Sequence, residues 1–204
     1  MLRFFVLGLV AAATASVVHE GGCPDIKPVE NFNISAYVGT WYEVSKTPNL
    51  NEQGGKCGQA EYKQEGETVK VKNSHVVDGV QKYVEGTAKL ATDANKSAKL
   101  VVSLKVGDQS RETPLSVVAT DYTHYAVAYS CKYDDQTKAH TDSAWILSRS
   151  KGLEGDAKKA VDNFLKAHTK EIDSTKLIVT DFTEEACKFT SSSPVTQAQA
   201  QKKQ

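Results

Sequence analysis

From residue 40 to about residue 150, apolar and polar residues alternate in eight short runs, and no other feature constrains the fold as tightly. Turn-forming residues separate the runs: Asn49, Gly54-Gly55, Gly66, Asp78-Gly79, Asp93-Ala94-Asn95, Gly107-Asp108, Asp121 and Asp134-Asp135. Short strands spaced about ten residues apart and joined by hairpin turns predict an all-β antiparallel sandwich or barrel.

Alternation also assigns faces. Over residues 68–78, Val69, Val71, Asn73, His75 and Val77 share one side, and Lys70, Lys72 and Ser74 share the other. Asn73 and His75 therefore face the interior with the valines. Leu100, Val102, Leu104 and Val106 form a second inward row, backed by Val101, Ser103 and Lys105. Apolar walls with a few polar groups are what a ligand cavity needs.

The runs at 122–132 and 143–150 are apolar on both faces: Ala126, Ala128 and Ser130 on one, Tyr125, Val127 and Tyr129 on the other. The next segment supplies the cover. Leu153, Ala157, Ala160, Val161, Phe164, Leu165 and His168 recur at helical spacing, opposite Lys158, Lys159, Asp162 and Lys166. An amphipathic helix packed outside the barrel is expected, followed by a short strand over 176–181.

The ends read differently. Met1-Leu2-Arg3, an apolar run to Ala13 and the small-x-small Ala13-Thr14-Ala15 predict a signal peptide over 1–15, cleaved after Ala15. The apolar stretch of about 12 residues is too short to span a bilayer, which takes roughly 20. Residues 16–189 are expected to form one domain, opening with an irregular lead-in around Gly21-Gly22, Pro24 and Pro28. Residues 190–204, rich in Ser, Gln, Ala and Lys, are expected to be disordered.

The 25 basic and 25 acidic residues balance, which gives no support for nucleic-acid or membrane-surface binding. Cys23, Cys57, Cys131 and Cys187 are even in number and far apart, so in an oxidising compartment they read as two disulfides with three pairings open. No CxxC or other metal-ligand spacing accompanies them. Asn33-Ile34-Ser35 and Asn95-Lys96-Ser97 are glycosylation sequons that a secretory route permits.

Three motifs stand in order: Gly39-Thr40-Trp41, Thr120-Asp121-Tyr122 and, at the end of the eighth run, Arg149. Together they resemble the lipocalin family. Cys23-Pro24-Asp25-Ile26-Lys27-Pro28-Val29, Gly55-Lys56-Cys57, Ala60-Glu61-Tyr62, Cys131-Lys132-Tyr133-Asp134, 145–151, Asp181-Phe182 and Glu185-Ala186-Cys187 resemble the insect bilin-binding proteins and insecticyanins. The resemblance implies an eight-stranded up-and-down lipocalin barrel with one C-terminal helix outside, and Arg149 lying across Trp41 at the closed end. It implies disulfides Cys23–Cys131 and Cys57–Cys187; relatives form dimers or tetramers, and the sequence itself carries no sign of oligomeric state. It also implies an extracellular pigment protein of haemolymph or epidermis that carries non-covalent biliverdin.

By that resemblance Asn73, His75, Val84, Leu104, Val106, Ser130 and Ser143 face the ligand, with Trp145 and Leu147 sharing the inward face of Ser143. Asn49, Leu50 and Asn51 lie on the loop over the mouth. Arg111 and Lys132 are the cations assigned to the propionates, and His75 or Asn73 the acceptors for pyrrole or lactam N–H groups. Gln59, Val106, Ser130 and Ser143 stand where relatives tend to be aromatic, which implies a wider or more polar cavity. Another tetrapyrrole, a retinoid, a carotenoid or a fatty acid stays open as ligand, and so does a signalling role.

Catalysis is not expected. Asp121 and His124 sit close together but in the turn at the closed end. The chain has no Gly-x-Ser-x-Gly, His-Glu-x-x-His or phosphate loop, and its cysteines are expected to be oxidised.

Overall fold

The computed structural model describes residues 18–49 and 52–196; the expected signal peptide, Leu50 and Asn51 lie outside them. Eight strands run up and down: β2 (Gly39–Lys46), β3 (Lys56–Glu65), β4 (Thr68–Val77), β5 (Val80–Leu90), β6 (Lys99–Val106), β7 (Gln109–Thr120), β8 (Tyr125–Asp134) and β9 (Ala139–Ser148). Each pairs antiparallel with the next, and β9 returns to β2, closing the barrel. The turn residues act as their chemistry demands. Asp78 and Gly79 both take positive φ, 49° and 71°, in a two-residue hairpin whose backbone twist matches its strands.

The alternation is realised as two cores. Inside the barrel, Trp41, Tyr62, Val69, Val71, Leu100, Val102, Val117, Ala126, Ala128 and Leu147 are buried together with Tyr37 of the short helix α1 (Ile34–Tyr37). Outside it, α2 (Gly155–Ala167) lays Val161 and Leu165 on Val127, Tyr129, Ala144 and Ile146. The second apolar face of β8 and β9 is thereby covered.

At one end the barrel strands splay, and short strands occupy edges that the splaying bares. β1 (Val18–Glu20) pairs with Thr141–Ala139 of β9. β10 (Ile178–Val179) pairs with Lys46 and Ser45 of β2, where β3 has turned away. β11 (Ser191–Pro194) runs parallel to Val80–Tyr83 of β5, a stretch that extends beyond β6.

These strands correct three expectations. The lead-in is not wholly irregular, because it carries β1 and α1. The C-terminal tail is not structureless from residue 190, because Ser191–Pro194 pairs through its backbone and needs no apolar side chains. The strand expected over 176–181 shrinks to Ile178–Val179, since Ser174–Lys176 is a turn of 3-10 helix capped by Asp173.

The disulfides are Cys23–Cys131 and Cys57–Cys187. The second ties α3 (Glu184–Cys187) to β3. Ser74 and Val76 are buried although they sit on the outward side of β4; Val76 lies beside Ala186 and Lys188 of this tethered segment.

Candidate ligand site at the open end of the barrel

The closed end is built around Arg149. Its guanidinium lies 3.6 Å from the centre of the Trp41 ring. It donates to the carbonyls of Thr40 (2.9 Å), Val38 (3.0 Å), Ala36 (3.1 Å), Tyr37 (3.2 Å) and Tyr122 (3.1 Å). Gly39 takes φ 100°, and a Cβ there would sit 3.2 Å from an Arg149 nitrogen, so this position favours glycine twice over. Asp121 Oδ1 accepts from the backbone N–H of His124, Tyr125 and Thr123. Partial burial works against the charged form, but these donors hold the carboxyl below its ordinary range. Asp121 and His124 do meet, at 2.8 Å, on the exposed outside of this turn rather than in the cavity.

Moving away from this plug, the inner wall opens by degrees. Trp41, Val71, Val102 and Ala126 are buried; Asn73, Val84, Leu104, Val106, Ser143 and Trp145 are half-buried; Arg111 and Lys132 are exposed. Pairing places all of these on one face. Trp41 faces Ala60, Ala60 faces Asn73 and Asn73 faces Val84, a single rung of the wall. His75 stands with Lys82 on the next rung toward the mouth. Leu104 pairs with Arg111, Ser130 with Ser143 and Lys132 with Thr141. Asn49 lies on the loop after β2, where its Oδ1 accepts from the N–H of Glu52 at 3.0 Å.

Arg111 and Lys132 also flank a gap. β7 and β8 pair only between Ser116–Thr120 and Tyr129–Ala126, so their mouthward ends share no strand pairing. Ser130 Oγ donates to Pro114 O at 2.6 Å across this gap, which engages the hydroxyl with the wall. Gln59 is not a cavity residue: it pairs with Tyr42 and Ser74 and donates to Glu61 Oε1, all on the outer face.

The interior holds an ionic cluster that alternation alone does not reveal. Glu43, two residues beyond Trp41, faces inward beside Leu147. Its carboxylate fills the space left by the missing side chain of Gly58, where a Cβ would lie 2.7 Å from Oε1. A bulge at Val44 then shifts the phase, so Lys46 also turns inward, opposite Trp145. The Lys46 ammonium bonds both Glu43 and Glu52, the latter at 2.7 Å. Trp145 Nε1 donates to the same Glu52 oxygen at 3.4 Å.

Two carboxyls share one lysine in a poorly hydrated place. Burial first, and the charge of Glu52 next, push the Glu43 carboxyl up to about 8. Burial opposes the charge on Lys46 as well, but Glu52 and Glu43 hold its ammonium above the ordinary lysine value. Burial also drives Tyr62 up to about 12, with help from Glu43. Three buried polar atoms have no hydrogen-bond partner among the described residues: the acceptor Asn73 Oδ1, the Tyr37 hydroxyl, which can donate or accept, and the donor Asn49 Nδ2.

The sequence matches the lipocalin / cytosolic fatty-acid binding protein family over residues 38–184. The chain is a lipocalin. This lipocalin is 48% identical to the bilin-binding protein of Pieris brassicae over 188 residues, covering 92% of this chain and 98% of that one. It is 45% identical to insecticyanin-B of Manduca sexta over 201 residues, covering 96% and 98%. The solved insecticyanin of Manduca sexta superposes with a TM-score of 0.84 at 44% identity, covering 90% of the lipocalin and 98% of that chain. Lobster apocrustacyanin A1, at 24% identity and a TM-score of 0.69, shares the fold over 83% and 93%.

Proposed function

We propose that this lipocalin is a secreted, non-catalytic carrier of a linear tetrapyrrole, biliverdin, held non-covalently in the open end of the barrel. The observation that carries the reading is the Asn73 Oδ1 atom, a buried acceptor without a partner on the inner wall of a chain closely similar to a bilin-binding protein. An unpaired buried carbonyl costs about 1–3 kcal/mol, and a ligand N–H removes that cost.

The residues present fit the group. Leu104, Val106, Val84 and Trp145 offer apolar and aromatic walls to its rings. Asn73 and His75 offer partners to its pyrrole and lactam nitrogens. Arg111 and Lys132, at the gap between β7 and β8, offer cations to its propionates. Lys82, inward on the rung of His75 with its ammonium 2.9 Å from Ser193 Oγ, adds a third cation at the rim. The N-terminal signal pattern and the two disulfides support secretion, with cleavage after Ala15.

The test is a titration of the purified protein with biliverdin, followed by absorption and by tryptophan emission. A red-shifted band saturating at one ligand per chain, with quenching of Trp145, is expected. Neither change appearing would overturn the reading in favour of a colourless apolar ligand.

A further inference from the structure

We propose that Glu43, Lys46 and Glu52 form a proton-exchanging subsite in the barrel interior, and that a ligand presenting clustered N–H donors or a protonated nitrogen binds it with release of the Glu43 proton. The inference rests on the bilin reading above and adds the chemistry of its buried end.

Geometry is the first ground. Lys46 bonds one carboxylate on either side, so its single positive charge neutralises only one of them. Among the described residues the second carboxyl has no cation of its own. The groups facing Glu43 from the surrounding elements are Lys46 on its own strand, Glu52 on the following loop and Tyr62 on β3. His75 on β4 lies close enough to Glu52 to favour that residue's charge. None of these supplies a second permanent positive charge at Glu43. Burial and the neighbouring carboxylate accordingly keep a proton on Glu43 near pH 7, while Lys46 holds Glu52 ionised.

The second ground is independent of charge. The wall around the cluster carries buried, unpartnered polar atoms: the acceptor Asn73 Oδ1, the Tyr37 hydroxyl and, on the loop of Glu52, the donor Asn49 Nδ2. Asn73 Oδ1 lies on the rung of Ala60, two residues along β3 from the Gly58 that Glu43 packs against. Tyr37 is 2% exposed, its Oη has no partner, and its ring stands 5.5 Å from that of Tyr62, the tyrosine that senses Glu43. Carboxyl oxygens and an amide oxygen gathered in one poorly hydrated place call for donors. Fatty acids, retinoids and carotenoids bring none in that density. A row of pyrrole and lactam N–H groups does.

The proton balance is direct. Glu43 begins as a neutral acid. As the ligand's N–H groups approach, its O–H bond breaks and the proton leaves to solvent. The carboxylate then accepts from nitrogen, its charge stabilised by the N–H donors or, where the ligand nitrogen is protonated, balanced by it. A ligand that met Glu43 through a carbonyl would instead accept from the acid and release nothing.

The experiment is calorimetric titration with biliverdin near pH 7 in two buffers of different ionisation enthalpy, run on the full protein and on Glu43→Gln. Close to one proton released per ligand is expected for the native chain. None is expected for Glu43→Gln, whose fold is checked by circular dichroism and whose affinity loses its pH dependence. Uptake by the native chain without proton release, or the same release from Glu43→Gln, overturns this inference and leaves the bilin reading standing. No uptake by the native chain overturns the bilin reading and this inference with it. A second readout needs no ligand: the infrared band of a protonated carboxyl should be present in the free protein near pH 7 and lost in Glu43→Gln. Its absence from the native chain also overturns the inference.

Discussion

The guanidinium of Arg149 stacks on Trp41 at 3.6 Å while donating to five backbone carbonyls drawn from the lead-in, the first barrel strand and the turn before β8. One planar fork thus ties residues 36–40 and the turn at Tyr122 to the end of β9, three stretches far apart in sequence. Lysine has neither the flat face nor enough donors to replace it. Arg149→Lys should destabilise the fold by about 2–4 kcal/mol. The check is a guanidinium unfolding curve under non-reducing conditions; an unchanged midpoint would show the plug to be ornamental.

The Cys57–Cys187 bridge closes a loop of 130 residues and holds α3 against β3. Replacing both cysteines by alanine should cost about 2–5 kcal/mol. It should also loosen the cover over Ser74 and Val76. Amide exchange should accelerate in β4 and in the Val80–Tyr83 stretch of β5 more than in β8. Equal acceleration everywhere would count against a local role.

Asp121 is a carboxylate held below its ordinary range by backbone donors. A depressed folded-state value adds stability above the unfolded value, about 3.9, and that stability is lost as pH falls through the folded value. Asp121→Asn should therefore be less stable than the native chain near neutrality, by on the order of 1 kcal/mol. The difference should shrink below about pH 4. Urea midpoints measured across that interval decide it.

Glu43 has the opposite sign. Its carboxyl is raised to about 8, so the folded chain binds its proton more tightly than the unfolded chain does. The associated stability is complete below the unfolded value of about 4.3 and is lost as pH climbs toward 8. Glu43→Gln should match the native chain below about pH 4 and exceed it near pH 9 by several kcal/mol. Parallel loss of stability in both proteins over that range would contradict the assignment of the proton to Glu43.

Asn73 sets stability against binding. Asn73→Leu removes an unpaired buried amide oxygen and should stabilise the free protein by about 1 kcal/mol. The same change should weaken biliverdin binding about tenfold, equivalent to 1.4 kcal/mol. Thermal unfolding and absorption titration of one variant give both numbers, and a gain in affinity would sink the idea.

The barrel was legible in the sequence because strand side chains alternate with period two and hairpins need particular residues, as at Asp78-Gly79. The outer helix was legible because Val161 and Leu165 answer the second apolar face of β8 and β9. What alternation could not reveal came from departures from regularity or from distant chain. Lys46 points inward only because the bulge at Val44 reverses the phase. Ser74 and Val76 are buried on an outward face although nothing near them in sequence covers them. Gln59, placed in the cavity by resemblance to relatives, lies instead on the outer face opposite Tyr42 and Ser74. β1, β10 and β11 pair through backbone groups, which leave no side-chain signature.

Those three short strands carry a consequence for life at high concentration. A barrel whose strands fan apart exposes rows of bare N–H and C=O groups, a ready template for edge-to-edge polymerisation. Here β1, β10 and β11 saturate such rows within the same molecule. Where β7 and β8 part without a patch, Pro114 withholds a donor and Arg111 and Lys132 bring like charges. The molecule can therefore keep its mouth open to a ligand without offering it to another barrel's strand.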